Sequence, residues 1–217
     1  DRANALAILS GVASPDKYDS MIKNVLIPIQ SCSPHFEWMV EDAMCRAGFY
    51  AAALQRMKDR YQAQVNLEWL STLYERVIPE LKGSYNHAWN APNTILAKHI
   101  AGIHPTKPGW TEYQIMPNLE HFTSIEQVIP SVQGDIRVEL KKINHVFGLK
   151  LNSPEGTTAV VGIPRSSTTP KVVDINGSVV WKNGKFVSDV KGITWIGEDE
   201  QHLKLSVPPG TWSVIAR

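Results

Sequence analysis

The spacing of apolar side chains changes once along this 217-residue chain, and that change divides it into two differently built parts. In the first hundred residues apolar positions recur every three and four residues, the period of a helix with one buried face. From Trp110 onward they alternate with polar residues, the period of a strand. Ala5, Leu6, Ile8, Leu9 and Val12 form the first helical stripe, which ends near Gly11 and Ser14. Ser14-Pro15 supplies a cap and a first-turn proline, and Tyr18, Ile22, Val25 and Leu26 follow at helical steps up to Pro28. Ser33-Pro34 repeats that start signal and predicts a helix over 34–47, closed by Gly48 in a left-handed C-cap. A further helix over 50–61 makes an αα-hairpin with it. The stretch 63–90 is less regular, and Asn90, Pro92, Ile95, Leu96 and Ile100 predict a last helix ending at Gly102.

In the second part Ile136, Val138 and Leu140 alternate with charged residues, as do Phe147, Leu149 and Leu151, and again Leu203, Leu205 and Val207. Asn176-Gly177 and Asn183-Gly184 sit between β-branched and aromatic residues and predict two-residue hairpins. With prolines punctuating the rest, roughly eight short antiparallel strands and a β-sandwich are expected. Trp181 and Trp195 fall in alternating strands, which predicts burial in that sandwich. The rigid Pro105-Thr106-Lys107-Pro108-Gly109 connector places the boundary between a helical part, 1–106, and a β part, 107–217. Trp110 and Tyr113, just past it, are candidates for docking the two parts.

Twenty-two Lys and Arg against 21 Asp and Glu leave no net field to attract nucleic acid or an anionic membrane, so a neutral ligand is expected. No stretch approaches the roughly 18 to 20 apolar residues of a membrane span, and no basic-then-apolar leader opens the chain. A soluble protein is expected, periplasmic or secreted if an export signal lies upstream; the sequence leaves the compartment open. Cys32 and Cys45 have no neighbour at metal spacing and are expected to be buried thiols. The histidines outside the helical part, together with His99 and His104, lack partner spacing, so neither metal nor cofactor is expected. Because the chain starts at Asp1 inside an amphipathic helix, and holds too few helices for a closed ring, an upstream portion is expected to be missing. The exposed helical face would then associate with that portion or form a homodimer.

Most acids in the helical part have plain structural readings. Asp16 and Asp19 occupy first turns, and Glu37, Glu41, Asp42 and Asp59 are expected on solvated helix faces. Glu75 differs, because Ser71-Thr72-Leu73-Tyr74-Glu75-Arg76 surrounds one acid with hydroxyls and an aromatic ring that can orient it and tune its proton affinity. The competing reading is an ion pair with Arg76 or a lysine. Further on, Gly83-Ser84-Tyr85-Asn86-His87-Ala88-Trp89-Asn90 offers an imidazole, amides and aromatic rings before the last helix. Aromatic faces cover the C–H side of a sugar while amides and imidazole take its hydroxyls, which gives affinity without net charge. A helix cap at Asn90 and a core Trp89 would account for the same residues structurally. No glycine-rich phosphate loop, G-x-S-x-G elbow, H-E-x-x-H or C-x-x-C occurs.

Taken together, Ser71-Thr72-Leu73-Tyr74-Glu75, Ser84-Tyr85-Asn86-His87-Ala88-Trp89, and Ala101-Gly102-Ile103-His104-Pro105 followed by Pro108-Gly109-Trp110 resemble, in order and spacing, the C-terminal region of α-L-rhamnosidases of glycoside hydrolase family 78. The likeness runs over essentially the whole chain, since Asp1–Ala7 is also similar to a helix start of that family. It implies part of an (α/α)6 toroid followed by a β-sandwich, and inverting hydrolysis of terminal α-L-rhamnosyl groups. It further implies that Glu75 is the general base, with His87, Trp89, Asn86 and Tyr74 contacting the sugar or shaping its site. Ser71 stands where the family often has Thr, and Trp69 where a small residue is common. The family's general acid lies in an Asp/Arg-rich motif that does not occur in this sequence, so the chain alone is expected to be inactive. Two other readings stay open: a different (α/α)6 glycosidase, phosphorylase or lyase, and a non-catalytic carbohydrate-binding or scaffold protein. A lyase should show a basic patch for uronates, which is not evident near Glu75 or His87. A binding protein should keep its affinity after Glu75→Gln and bind through aromatics such as Trp181 or Trp195.

Overall fold

A computed structural model describes residues 1–69, 72–77, 91–165 and 169–217. The chain divides into two compact units, Asp1–Leu96 and Ala97–Arg217. The division falls ten residues before the expected boundary at 106. Ile103–Pro105 is already a strand paired with Glu112–Ile115, so these residues go with the sheet and not with the helices.

The first unit is built of helices α1 (Arg2–Leu9), α2 (Tyr18–Met21), α3 (Pro34–Arg46), α4 (Tyr50–Val65) and α5 (Ala91–Ile95). A 3-10 turn, Pro15–Lys17, leads into α2, and a π turn, Ile22–Leu26, follows it. The last helix likewise continues as a π turn, Leu96–Ile100. Gly48 adopts φ of 84°, and Phe49 N–H closes back on the Met44 carbonyl at 2.9 Å, which stops α3 and starts α4. Helix α3 packs against α1, α4 and α5. Ala5, Ile22, Leu26, Val40, Ala43, Met44, Ala53 and Ile95 meet in a core without measurable exposure.

Glu37, Glu41 and Asp42 lie inside this unit, at 0%, 0% and 2% exposure, which corrects the expectation of solvated helix faces for these three acids. Helix α3 is central and has neighbours on several sides, so its acidic positions are covered as well as its apolar ones. Cys32 and Cys45 are buried thiols, as expected.

Among the described residues the second unit holds twelve strands in two sheets. Five form one sheet in the order β1 (Ile103–Pro105), β2 (Glu112–Ile115), β6 (Thr158–Pro164), β11 (His202–Val207) and β10 (Thr194–Glu198). Seven form the other: β3 (Ser124–Ser131), β4 (Gly134–Ile143), β5 (Val146–Ser153), β12 (Gly210–Ala216), β7 (Val172–Ile175), β8 (Ser178–Lys182) and β9 (Lys185–Phe186). All pairings are antiparallel except β2 with β6, which is parallel. Ile136, Val138 and Leu140 of β4, Phe147, Leu149 and Leu151 of β5, and Leu203, Leu205 and Val207 of β11 are buried on alternate positions and share one core. Both asparagine-glycine turns form as expected. Asn176-Gly177, with φ of 50° and 85°, joins β7 to β8, and Asn183-Gly184, with φ of 48° and 83°, joins β8 to β9.

Tyr113, expected at a docking surface, is fully buried within this unit and donates to Ser153 Oγ at 2.7 Å, with Trp110 tilted against it at 6.0 Å between centroids. Trp181 is buried, donates Nε1–H to the Pro170 carbonyl at 3.1 Å, and stacks on half-buried Trp195 at 4.9 Å.

Candidate functional site

Helix α4 buries a face that is not apolar throughout. Ala53, Met57 and Tyr61 are interleaved with Arg56, Arg60 and Gln64, and all six are buried. The polar three repeat every four residues, so they stand in one row along the helix. Each reaches backbone at the end of a helical element or beyond it. Arg56 donates to the carbonyls of Leu26 and Ile29, and Arg60 to those of Gln30 and Cys32. Gln64 takes the segment that carries Glu75: its Oε1 accepts from Tyr74 N–H at 2.7 Å, and its Nε2 donates to the Arg76 carbonyl at 2.7 Å and the Val77 carbonyl at 3.3 Å. The row thus fastens two stretches of chain to one rigid helix and supplies partners to their backbone groups.

The charges beneath this row form a closed network. The Arg56 guanidinium meets Glu37 through Nε and Nη2 and Asp1 through Nη2 at 3.0 Å, and Arg60 Nε lies 3.2 Å from Glu37. Asp1 also accepts from the Ser31 and Cys32 amides at 3.1 and 3.0 Å. Cys32 Sγ–H donates to Glu37 Oε2 at 2.8 Å. Burial, reinforced by Glu37, pushes the Cys32 thiol up to about 11, so it stays protonated and inert at neutral pH.

Glu41, one turn beyond Glu37 on α3, has no hydrogen-bond partner on either carboxyl oxygen among the described residues. Burial first, and repulsion from Glu37 second, push it up to about 9 against the opposing pull of Arg56 and Arg60. It is therefore neutral at pH 7. Tyr61, whose hydroxyl is also buried without a partner among the described residues, is raised chiefly by burial.

Of the residues singled out in the sequence, Tyr74 and Glu75 lie on the segment that Gln64 holds. Tyr74 is 7% exposed and Glu75 is half-buried. Asn86, His87 and Trp89 lie outside the described residues. Among the described residues no group of three His, Cys, Asp or Glu side chains could hold a metal ion, and no helix is long and apolar enough to cross a membrane. Gln64 was not legible as a site residue from local composition. The available signal was the repeat Arg56, Arg60, Gln64, three polar side chains at every fourth position inside an otherwise apolar stripe.

Comparison with known proteins adds to this geometry. Residues 102–178 match the sequence model of the bacterial alpha-L-rhamnosidase C-terminal domain. No curated protein matches the chain at a significant level. Among solved structures, the alpha-L-rhamnosidase of Dictyoglumus thermophilum matches 100% of this chain at 16% identity and a TM-score of 0.77. The Streptomyces avermitilis alpha-L-rhamnosidase, solved with L-rhamnose, matches 100% at 18% identity and a TM-score of 0.75. The GH78 family rhamnosidase of Bacillus sp. GL1 matches 66% at 26% identity and a TM-score of 0.55. The chain spans 25%, 21% and 16% of those proteins, respectively. At the two lower identities the likeness is one of fold.

A helical unit followed by a two-sheet unit is thus a fold that this chain shares with solved alpha-L-rhamnosidases. More narrowly, residues 102–178 resemble the bacterial alpha-L-rhamnosidase C-terminal domain, and the chain as a whole is similar in fold to part of solved alpha-L-rhamnosidases.

Proposed function

We propose that this chain is the C-terminal part of an inverting α-L-rhamnosidase, with its helices forming the end of an (α/α)6 toroid and Glu75 serving as general base. The observation that carries the reading is the placement of Glu75. It is half-buried on an irregular segment pinned to the buried face of α4, in a chain whose residues 102–178 match a rhamnosidase C-terminal domain. In such a reaction the Glu75 carboxylate takes a proton from water as the water oxygen bonds to the anomeric carbon. The glycosidic C–O bond breaks, and the leaving oxygen takes its proton from an acid about 6.5 to 9.5 Å from the base. Glu75 supplies one carboxylate of that pair, and the acid comes from elsewhere in a longer polypeptide. His87, Asn86, Trp89 and Tyr74 contact the terminal rhamnosyl group of a glycan or glycoside, or wall its site.

Leu6, Val12, Ile27, Ile29, Val65 and Trp69 are exposed on the helical unit, as expected of a surface that packs on further barrel helices. In isolation the chain should dimerise through them, which light scattering would read; a monodisperse monomer argues against the uncovered face.

The test is turnover of an aryl α-L-rhamnoside by the longer protein, by its Glu75→Gln variant and by the 217-residue chain. The longer protein should be active and the other two silent. Activity in the Glu75→Gln variant, or in the chain alone, overturns the assignment.

A further inference from the structure

We infer that Gln64 is a positioning residue for the reaction, one that sets where the Glu75 carboxylate stands without itself touching substrate. The inference rests on the reading of Glu75 as general base, and goes beyond it by naming the side chain that fixes its geometry.

Gln64 is 2% exposed and sits near the end of the sixteen-residue helix α4. Its amide has one oxygen and two N–H groups, and the network fixes which is which. The Tyr74 amide can only donate, so it requires Oε1; the Arg76 and Val77 carbonyls can only accept, so they require Nε2. The flipped amide would set donor against donor and acceptor against acceptor. The bonds fall on residues 74, 76 and 77, one before Glu75 and two after it. Backbone on both sides of the acid is therefore tied to a single side chain, and the freedom left to the Glu75 Cα is small. No hydrogen-bonded strand or helix holds residues 72–77, so a rigid α4 reaching them through Gln64 does what regular structure does elsewhere.

A base acting on an attacking water must sit within a fraction of an ångström of its working position. Displacement by about 1 Å costs on the order of 100-fold in rate. A loop fastened only at its distant ends would not meet that tolerance. A purely structural role for Gln64 would show in stability alone, whereas a positioning role also shows in the chemical step of enzyme that is still folded.

The experiment uses the longer enzyme with Gln64→Leu and Gln64→Glu, compared with wild type and Glu75→Gln. Folding is checked by circular dichroism, and kcat and KM are measured on α-L-rhamnosyl fluoride, whose leaving group needs no acid and so isolates water attack. Gln64→Leu should stay folded and lose about 10- to 100-fold in kcat, with KM changed less than about threefold. Gln64→Glu should be poor while its carboxylate is ionised, because it then cannot donate to the Arg76 carbonyl. It should recover as the pH falls and the protonated acid regains a donor, adding a titration that wild type lacks. Wild-type kcat in folded Gln64→Leu, or a loss seen with aryl rhamnosides but not with the fluoride, overturns the inference. If Gln64→Leu does not fold, the Gln64→Glu pH profile decides alone, and a profile superimposable on wild type overturns it. Activity retained by Glu75→Gln would instead refute the general-base reading, whatever the Gln64 variants do.

Discussion

Replacing Glu41 by glutamine should remove a pH dependence that the helical unit otherwise carries. In the folded protein Glu41 is 0% exposed, has no partner on either carboxyl oxygen among the described residues and is pushed up to about 9. In the unfolded chain it titrates near the ordinary 4.5. Between those values the native state keeps a proton that the unfolded state has released, so stability is greatest below about 4.5 and declines as pH rises towards 9. Each pH unit in that window is worth at most about 1.4 kcal/mol, so the three units from pH 5 to 8 amount to no more than about 4 kcal/mol. Glutamine fills similar space and does not titrate. The variant should match wild type near pH 5 and exceed it by about 2 to 4 kcal/mol at pH 8. Urea unfolding followed by helical circular dichroism at pH 5, 6, 7 and 8 measures this. His202 acts in the opposite direction, because burial holds its pKa down and stability is lost as pH falls through the ordinary histidine value of 6.5 towards that lowered one. Subtracting the two stability curves cancels it. A difference that does not grow with pH, or a variant weaker than wild type at pH 8, refutes the account of Glu41 as a buried neutral acid.

Three further outcomes follow from the same geometry. Arg56→Met strips Asp1 and Glu37 of a shared buried cation and should lower stability by about 3 to 5 kcal/mol, read as an earlier denaturant midpoint; a midpoint within error of wild type contradicts the network. Cys32 and Cys45 should resist alkylation at pH 8 in the native protein and react promptly in denaturant, and rapid native labelling would show that they are not buried as described. Gly102→Ala should disrupt the start of the β unit, since φ is 71° and a β-carbon would lie 2.0 Å from the Met116 carbonyl oxygen; an unchanged melting temperature counts against that close approach.

Local chemistry made much of the fold legible. Asn176-Gly177 and Asn183-Gly184 announce their hairpins because their left-handed backbone is a property of the turn alone. Ser33-Pro34 and Gly48 likewise bracket α3, found at Pro34–Arg46. What escaped depends on distant neighbours. Helix α4 runs four residues past its expected end, to Val65, and Gln64 lies in that extra turn. The parallel pairing of β2 with β6 carries no local signal, because it is decided by how intervening strands cross between sheets. Glu37 and Glu41 look like solvated acids in sequence, and only the packing around α3, with Arg56 and Arg60 arriving from α4, shows them to be interior. Glu75 stands out through its hydroxyl and aromatic neighbours, whereas the side chain that anchors its backbone lies eleven residues earlier on a helix and carries no motif.

The most direct test of Glu75 as the base for water attack is azide rescue of Glu75→Ala in the longer enzyme with α-L-rhamnosyl fluoride, with the product examined by proton NMR. Azide needs no base, and truncation at residue 75 opens the face from which water approaches. Turnover should return with azide concentration, releasing fluoride and giving β-L-rhamnosyl azide. No rescue, or an azide of the α configuration, would contradict the placement of Glu75 on the attacking side of the sugar.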